Sequence, residues 1–218
     1  MKPLINIITR TSCRPNGFRK TKESIISQTY DNINHVVITD DMSSKVYLEK
    51  YDIKYFYINK TETLSSVNRT DVPAGLNTPG LFPHNLYLNT ANQFINEGWI
   101  MYLDDDDHLA GPTVIEKFVN HIHSNDVLFY WKIQFPDGRV FPHSTCFNNE
   151  PMPCRIGGSC LCVHSKWKDY IKWDAWQMSD YRVIRALHDT IPHKQWLDMI
   201  VINTGNNGGR GKRVDIDS

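Results

Sequence analysis

Four consecutive carboxylates, Asp104, Asp105, Asp106 and Asp107, follow directly on an apolar run at 99–103 that contains Trp, Ile, Tyr and Leu. The run reads as a buried strand. Like charges crowded at its end repel one another, so the tract is either a solvated acidic turn or a place for a divalent cation. Mn²⁺ and Mg²⁺ take oxygen ligands, and Mg²⁺ typically uses one or two carboxylates and fills its shell with water and substrate phosphates. An Asp-x-Asp at a strand end is therefore a candidate site for a metal–diphosphate. The strand register puts Asp104 and Asp106 on one side, makes Asp106 the best single ligand, and leaves Asp107 facing water.

Two more polar clusters end apolar runs. The run at 4–8 opens into Thr9, Arg10 and Thr11, and the run at 35–39 ends in Asp40 and Asp41. Between them, 18–30 reads as a helix with Phe18, Ile25 and Ile26 inward. A short helix at 46–51 and a strand at 53–58 follow, so the order is β-α-β-α-β, which predicts a parallel sheet with right-handed crossovers. Ligands of such sheets bind at the carboxyl ends of the strands. All three clusters then lie on one rim and supply hydrogen-bond donors, a carboxylate pair and a metal site. The stretch 60–83 reads as a long polar loop near the site, able to act as a lid. Helices are expected at 86–97 (Tyr87, Ala91, Phe94 and Ile95 inward, Gly98 just past the end) and after Gly111-Pro112-Thr113. Strands are expected at 126–131, 160–163 and 199–202, with a hairpin around the turn 135–138 and a helix over 181–187 that Ser179 or Asp180 caps.

The chain has 218 residues, 40% apolar and 22% charged, which suits one sizeable α/β domain. The expected division is a single domain over 1–205, in two halves at 1–108 and 109–205, the first of them nucleotide-binding. Residues 206–218, which carry Arg210, Lys212 and Arg213, read as a linker or tail to further domains of a larger, monomeric polypeptide. Lys plus Arg and Asp plus Glu both number 24, so a nucleic-acid partner, which needs a basic face, is not expected. The five cysteines are irregularly spaced and read as reduced structural thiols. There is no apolar leader and no run long enough for a membrane span, which points to a cytoplasmic protein.

These motifs resemble those of the GT-A glycosyltransferases, above all the family 2 pattern, and the compact GT-A domains of chlorella-virus glycosyltransferases. Residues 5–10 resemble the first strand and nucleotide loop. The Ser27–Asn32 stretch resembles the Gln-x-Tyr-x-Asn helix end, residues 37–43 the Asp-Asp-x-Ser turn, 99–106 the metal-binding strand, and 179–185 the segment with the catalytic carboxylate. The resemblance implies an α/β GT-A (Rossmann-like) fold, with a mostly parallel central sheet flanked by helices and a small hairpin subregion on the acceptor side. It implies a hexose or deoxyhexose moved from a UDP-sugar to a hydroxyl of an oligosaccharide or glycoprotein glycan, with Mn²⁺ (or Mg²⁺) as cofactor. Thr9, Arg10, Thr11, Asp40 or Asp41, Asn85, Asp104 and Asp105 would hold the nucleotide-sugar. Asp106, with Asp104, would ligate the metal, and Asp180 would accept the acceptor's proton if the reaction inverts.

The chain departs from that pattern at Pro83-His84-Asn85, where the family has Arg-Asn, at Ser179, where it has Glu, and in the stretch 60–83. Asp180 therefore keeps two other readings, as a helix cap and as a substrate-positioning group in a retaining enzyme. Gly158 and Ser159 are either an acceptor-side approach or a tight turn. Trp173, Trp176 and Trp196 are either a sugar-stacking platform or core. His108, His164, His188 and His193 are candidate third metal ligands. A sugar-1-phosphate nucleotidyltransferase and a Ca²⁺-dependent carbohydrate-binding module remain alternatives; the first is disfavoured by the single glycine in the loop 10–17, the second by the βαβ order.

Overall fold

A computed structural model describes residues 2–68, 70–73 and 80–206. The first strand, β1 (Ile5–Thr11), is buried at every position except Arg10, as expected of the central strand of a covered sheet. It hands over to α1 (Pro15–Ile26), where Pro15 sits at the first turn and needs no amide hydrogen. Phe18, Thr21 and Ile25 face the sheet, but Ile26 is 67% exposed, because the helix ends there and its last residue rotates outward. β2 (Ile33–Thr39), α2 (Lys45–Lys50) and β3 (Tyr55–Tyr57) complete the first β-α-β-α-β unit.

Within the stretch 60–83 the chain forms α3 (Lys60–Ser66), started by Asn59, whose side chain accepts from the amides of Thr61 and Glu62. That cap sits in a run with no apolar periodicity, so no helix was legible there. α4 spans Tyr87–Gln93 and stops four residues short of the expected end. Phe94 lies outside it, 46% exposed and stacked on Phe56 at 3.7 Å. Gly98 has φ +84°, and a Cβ there would fall 2.5 Å from the Leu4 carbonyl oxygen, so the turn into β4 (Trp99–Tyr102) admits only glycine.

A two-residue strand, β5 (His108–Leu109), follows the Asp tract, then α5 (Val114–Val119). The hairpin forms as expected from β6 (Val127–Gln134) and β7 (Val140–Phe141). β8 (Leu161–His164), α6 (Ser179–Thr190) and β9 (His193–Asn203) close the described chain. β9 begins six residues before the expected 199. Its first three residues, His193-Lys194-Gln195, are polar and largely exposed and carry no strand pattern, yet they pair in parallel with Val127–Phe129.

Among the described residues the strands make one nine-stranded sheet in the order β3-β2-β1-β4-β8-β6-β9-β5, with β7 on β6. The first four are parallel, and β1 is in register with both neighbours, Ile5 opposite Ile33 and Trp99. β8 enters antiparallel between β4 and β6, which makes the second half of the sheet mixed. Four large aromatic side chains gather there: Trp99, Phe118, Phe129 and Trp131 are all within 2% of full burial and meet edge-on or tilted. The consequence for function is positional: with β1, β2 and β4 parallel and in register, Arg10 and Thr11, Asp40, and Asp104 emerge at one rim.

Candidate active site

A cavity of about 560 Å³ opens at that rim. Its walls come from the ends of β1 (Arg10, Thr11, Ser12, Arg14), β2 (Asp40) and β4 (Asp104 to Asp107), from Lys60 and Leu64 of α3, and from Gly157, Gly158, Ser159 and Asp180 on the far side. A smaller cavity of about 220 Å³ adjoins it and shares Arg10, Asp104, Gly158, Ser159 and Asp180.

Arg10 ties three elements together. Its Nη1 donates to the His84 carbonyl oxygen and Asn85 Oδ1, and its Nη2 to Asp104 Oδ1, each at 3.2 Å. Asn85 is thus brought to the site by the segment Pro83-His84-Asn85. Thr11 is buried and shares a 2.7 Å hydrogen bond with the Tyr47 hydroxyl. Thr9, two residues earlier, is fully buried; its hydroxyl is bonded to His35 Nε2 at 3.0 Å, outside the cavity.

Asp40 lines the cavity and accepts from the Tyr87 hydroxyl at 3.1 Å. Asp41 lies outside it. Its Oδ1 accepts from the Ser43 amide and hydroxyl, an Asx turn that starts the short 3₁₀ turn before α2. Burial together with the Asp40 charge pushes the Tyr87 phenol up, so it stays a donor.

The Asp tract is a tight turn rather than extended chain: the Asp107 amide donates to the Asp104 carbonyl oxygen at 3.1 Å. Strand alternation therefore stops at Leu103, and the expectation that Asp107 faces water is corrected. Asp107 is 6% exposed, its Oδ1 accepts from the Gly205 amide, and burial among the other carboxylates holds its acid form well above the usual range. Asp105 is equally buried and pairs with Arg14 at 2.8 Å. Burial pushes its carboxyl up to about 7 while Arg14 pulls the other way. Asp106 Oδ2 lies 3.3 Å from Arg14 and 2.6 Å from Asn206 Nδ2. Asp104 is the open one, its side chain 48% exposed.

Gly17 explains how α1 approaches this turn: a Cβ there would sit 2.8 Å from the Asp105 carbonyl oxygen. Thr21, one turn on, donates from its hydroxyl to the Asp107 carbonyl oxygen at 2.6 Å.

On the opposite wall Asp180 lies at the second position of α6, not at its cap. The residue before the helix is Met178, at φ +62°, and Ser179 Oγ accepts from the Asp174 amide, so neither Ser179 nor Asp180 caps the helix. Burial raises the Asp180 carboxyl, against a hydrogen bond from the Tyr181 amide. Bare backbone faces it: the position for a Cβ on Gly157 is 3.9 Å from Asp180 Oδ2, and on Gly158 is 3.6 Å from Asp180 Cβ. Trp173 Cη2 is only 2.8 Å from that Gly158 position, which fixes glycine there.

The other candidates separate. Trp173 edges the smaller cavity; Trp176 is 8% exposed and lies outside both cavities, and Trp196 stacks on Tyr130 at 4.1 Å as packing. His108, His164, His188 and His193 line neither cavity. None of the five cysteines is in a disulfide. Arg14, His84, Tyr87 and Asn206 are at the site without having been singled out. Arg14 stands in the polar loop after the first strand, a position that could have flagged it. Asn206 was assigned to a tail, and Arg210, Lys212 and Arg213 of that tail lie outside the described residues.

As for a metal, Asp104 and Asp106 both present hard oxygen donors to the cavity, which fits a divalent cation that takes its remaining ligands from phosphate and water. Among the described residues no set of three or more His, Cys, Asp or Glu converges into a closed cage.

No family model matches the sequence, and no curated protein does. Solved structures match it over nearly its whole length. TarS of S. aureus, residues 1–349 in complex with UDP, superposes with a TM-score of 0.66 at 15% identity over 92% of this chain and 60% of that one. Its complex with UDP-GlcNAc gives 0.64 at 16% over 95% and 60%. The mannosyltransferase PcManGT of Pyrobaculum calidifontis, in complex with GDP-Man and Mn²⁺, gives 0.60 at 12% over 96% and 59%. The chain therefore has a GT-A-like glycosyltransferase fold, and it spans about 60% of the length of these neighbours.

Proposed function

We propose that the chain transfers a hexose or deoxyhexose from a UDP-sugar to a hydroxyl of an oligosaccharide or glycoprotein glycan. The observation that carries this reading is the pair of adjoining cavities with Arg10, Asp104 and Asp180 on their shared wall. One side offers cations and carboxylates for a nucleoside diphosphate and the other a buried carboxylate for proton transfer. The neighbours solved with UDP, UDP-GlcNAc and GDP-Man support it.

In this reading Asp40, Thr11 and Arg10 hold the nucleoside end of the donor, with Tyr87 fixing Asp40. Asp104 and Asp106 would hold Mn²⁺ or Mg²⁺, which neutralises charge on the leaving diphosphate. Asp180 accepts the proton of the attacking hydroxyl as the bond from that oxygen to the sugar's anomeric carbon forms and the anomeric carbon–phosphate oxygen bond breaks. The transfer is then a single displacement with inversion. Gly157 and Gly158 leave Asp180 accessible to the acceptor. Among the described residues no helix is long and apolar enough to cross a membrane.

A panel of UDP-sugars with Mn²⁺ or Mg²⁺, read by thermal shift and by hydrolysis or transfer, tests the proposal. UDP should raise the melting temperature only with the metal present, and Asp106→Ala should abolish that response. No response to any nucleotide, with or without metal, would sink it.

A further inference from the structure

The two carboxylates best placed for a metal are not free. Asp104 is paired with Arg10, and Asp106 with Arg14. The second pairing is the more deeply seated: the Arg14 side chain is 15% exposed, between Asp105 at 6% and Asp106 at 14%. Its Nη1 lies 2.8 Å from Asp105 Oδ1 and 3.3 Å from Asp106 Oδ2, and the same side chain lines the larger cavity.

The asymmetry of that bridge is informative. Charges taken out of water need a partner, and Asp105 has no other cation within ion-pair reach among the described residues. Asp106 has a second polar contact, Asn206, and a looser hold on Arg14. A divalent ion ligated by a carboxylate oxygen sits about 2.0–2.2 Å from it, and a guanidinium nitrogen 3.3 Å from that same oxygen is a like charge at close quarters. Arg14 and Asn206 both sit on Oδ2, so a metal taken on that oxygen has to displace Arg14, and one taken on Oδ1 still faces the guanidinium charge across the same carboxylate.

We propose that Arg14 is a resident counter-cation that competes with the divalent metal for Asp106 and, while still anchored on Asp105, turns to the donor diphosphate once Asp106 is surrendered. This rests on the donor-site reading above and deepens it. Its consequence is a coupling: diphosphate draws Arg14 away from Asp106, so nucleotide and metal strengthen each other's binding by more than the metal–phosphate bonds alone provide.

Mn²⁺ binding to the protein without nucleotide, followed by electron paramagnetic resonance of the free ion, tests this. Arg14→Met should bind Mn²⁺ alone about tenfold more tightly than the wild type. With Mn²⁺ saturating, it should bind UDP about tenfold more weakly but uridine equally well; loss of a positive charge alone would shift these in the same directions, so the charge-conserving Arg14→Lys must also bind Mn²⁺ more tightly than the wild type. Unchanged or weaker Mn²⁺ binding by Arg14→Met, beside a wild type that binds UDP with Mn²⁺, overturns the proposal and leaves the donor site standing. A wild type that binds neither Mn²⁺ nor UDP overturns the donor-site reading and this proposal together. Should Arg14→Met not fold, Arg14→Lys decides: its point charge cannot bridge both carboxylates, so Mn²⁺ should bind more tightly than to wild type, and equal affinity overturns the proposal.

Discussion

The guanidinium of Arg10 donates to Asp104 Oδ1 at 3.2 Å, across the boundary between two parallel strands whose registers are locked from Ile5 opposite Trp99 to Ile8 opposite Tyr102. The pair is half-open to solvent, so it contributes little to stability; exposed ion pairs are worth about 0–1 kcal/mol. Its value is placement. Arg10 also holds Asn85 and the His84 carbonyl, and so sets one wall of both cavities.

Arg10→Ala should therefore separate stability from binding. The melting temperature should change by a degree or two, while UDP affinity measured by calorimetry with Mn²⁺ falls at least tenfold, since hydrogen bonds to charged groups are worth about 1.5–3 kcal/mol. Arg10→Lys should recover only part of that loss, because an ammonium cannot reach Asn85, His84 and Asp104 together. Equal losses of stability and binding would mean that Arg10 is a structural clasp only.

The rim was legible because strand ends are written in two alphabets at once: an apolar run fixes the strand, and the first polar residues after it fix the mouth of the sheet. Arg10, Asp40 and Asp104 could be placed that way with no knowledge of side-chain packing. Asp107 was misplaced because alternation was carried beyond the end of the strand, into a turn closed by its own amide. Asn206 was not visible because it reaches Asp106 from 100 residues away, a contact that only the long β9 delivers. The same strand's polar start, His193-Lys194-Gln195, hid its first part. Asp180 was found by motif, but its freedom from capping came from Met178 adopting positive φ before the helix, a backbone state with no sequence signal in a methionine.

Gly17 and Gly111 make a matched pair for testing how tightly α1 seats on the Asp turn. A methyl on Gly17 meets backbone, the Asp105 carbonyl oxygen at 2.8 Å, which cannot rotate away; a methyl on Gly111 meets nothing within 4 Å. Gly17→Ala should cost about 1–3 kcal/mol in denaturant unfolding, the usual range for overpacking, and should weaken the UDP response by shifting Asp105 under Arg14. Gly111→Ala should stay within about 0.5 kcal/mol, as ordinary surface substitutions do. Similar costs for both would place the close approach elsewhere.

His35 should make the protein acid-sensitive in a defined window. Its ring stacks on Phe18, its Nε2 meets Thr9, and its buried Nδ1 has no hydrogen-bond partner among the described residues. Burial, with Lys22 nearby, lowers its pKa to about 3. Below its ordinary value of about 6.5 the unfolded chain therefore binds a proton that the folded chain refuses until about pH 3. The unfolded state holds more protons across that window, so stability falls as pH falls, by at most about 1.4 kcal/mol per pH unit for this one group. His35→Phe keeps the stacking and cannot titrate. The difference in unfolding free energy between wild type and variant should grow in the variant's favour from pH 7 to pH 5. A difference that stays flat would show the imidazole to be solvated.

Asp180 offers the sharpest separation of binding from chemistry. It is buried at the junction of the two cavities, its carboxyl is raised chiefly by that burial, and among the described residues no cation forms an ion pair with it. The nearest candidate, Arg182, is committed to Asp174 through two 2.6 Å bonds. A base must be deprotonated to act, so transfer should fail as pH falls through the raised value, and the acidic limb of kcat/KM should lie above the ordinary carboxylate range near 4. Asp180→Asn keeps shape and burial but cannot take the proton. It should lower kcat by about 10²–10⁴, the usual contribution of a positioned base, remove the acidic limb, and leave UDP binding with Mn²⁺ unchanged. Full transfer activity in Asp180→Asn would eliminate it as the base, and a parallel loss of UDP affinity would make it a donor-positioning group instead.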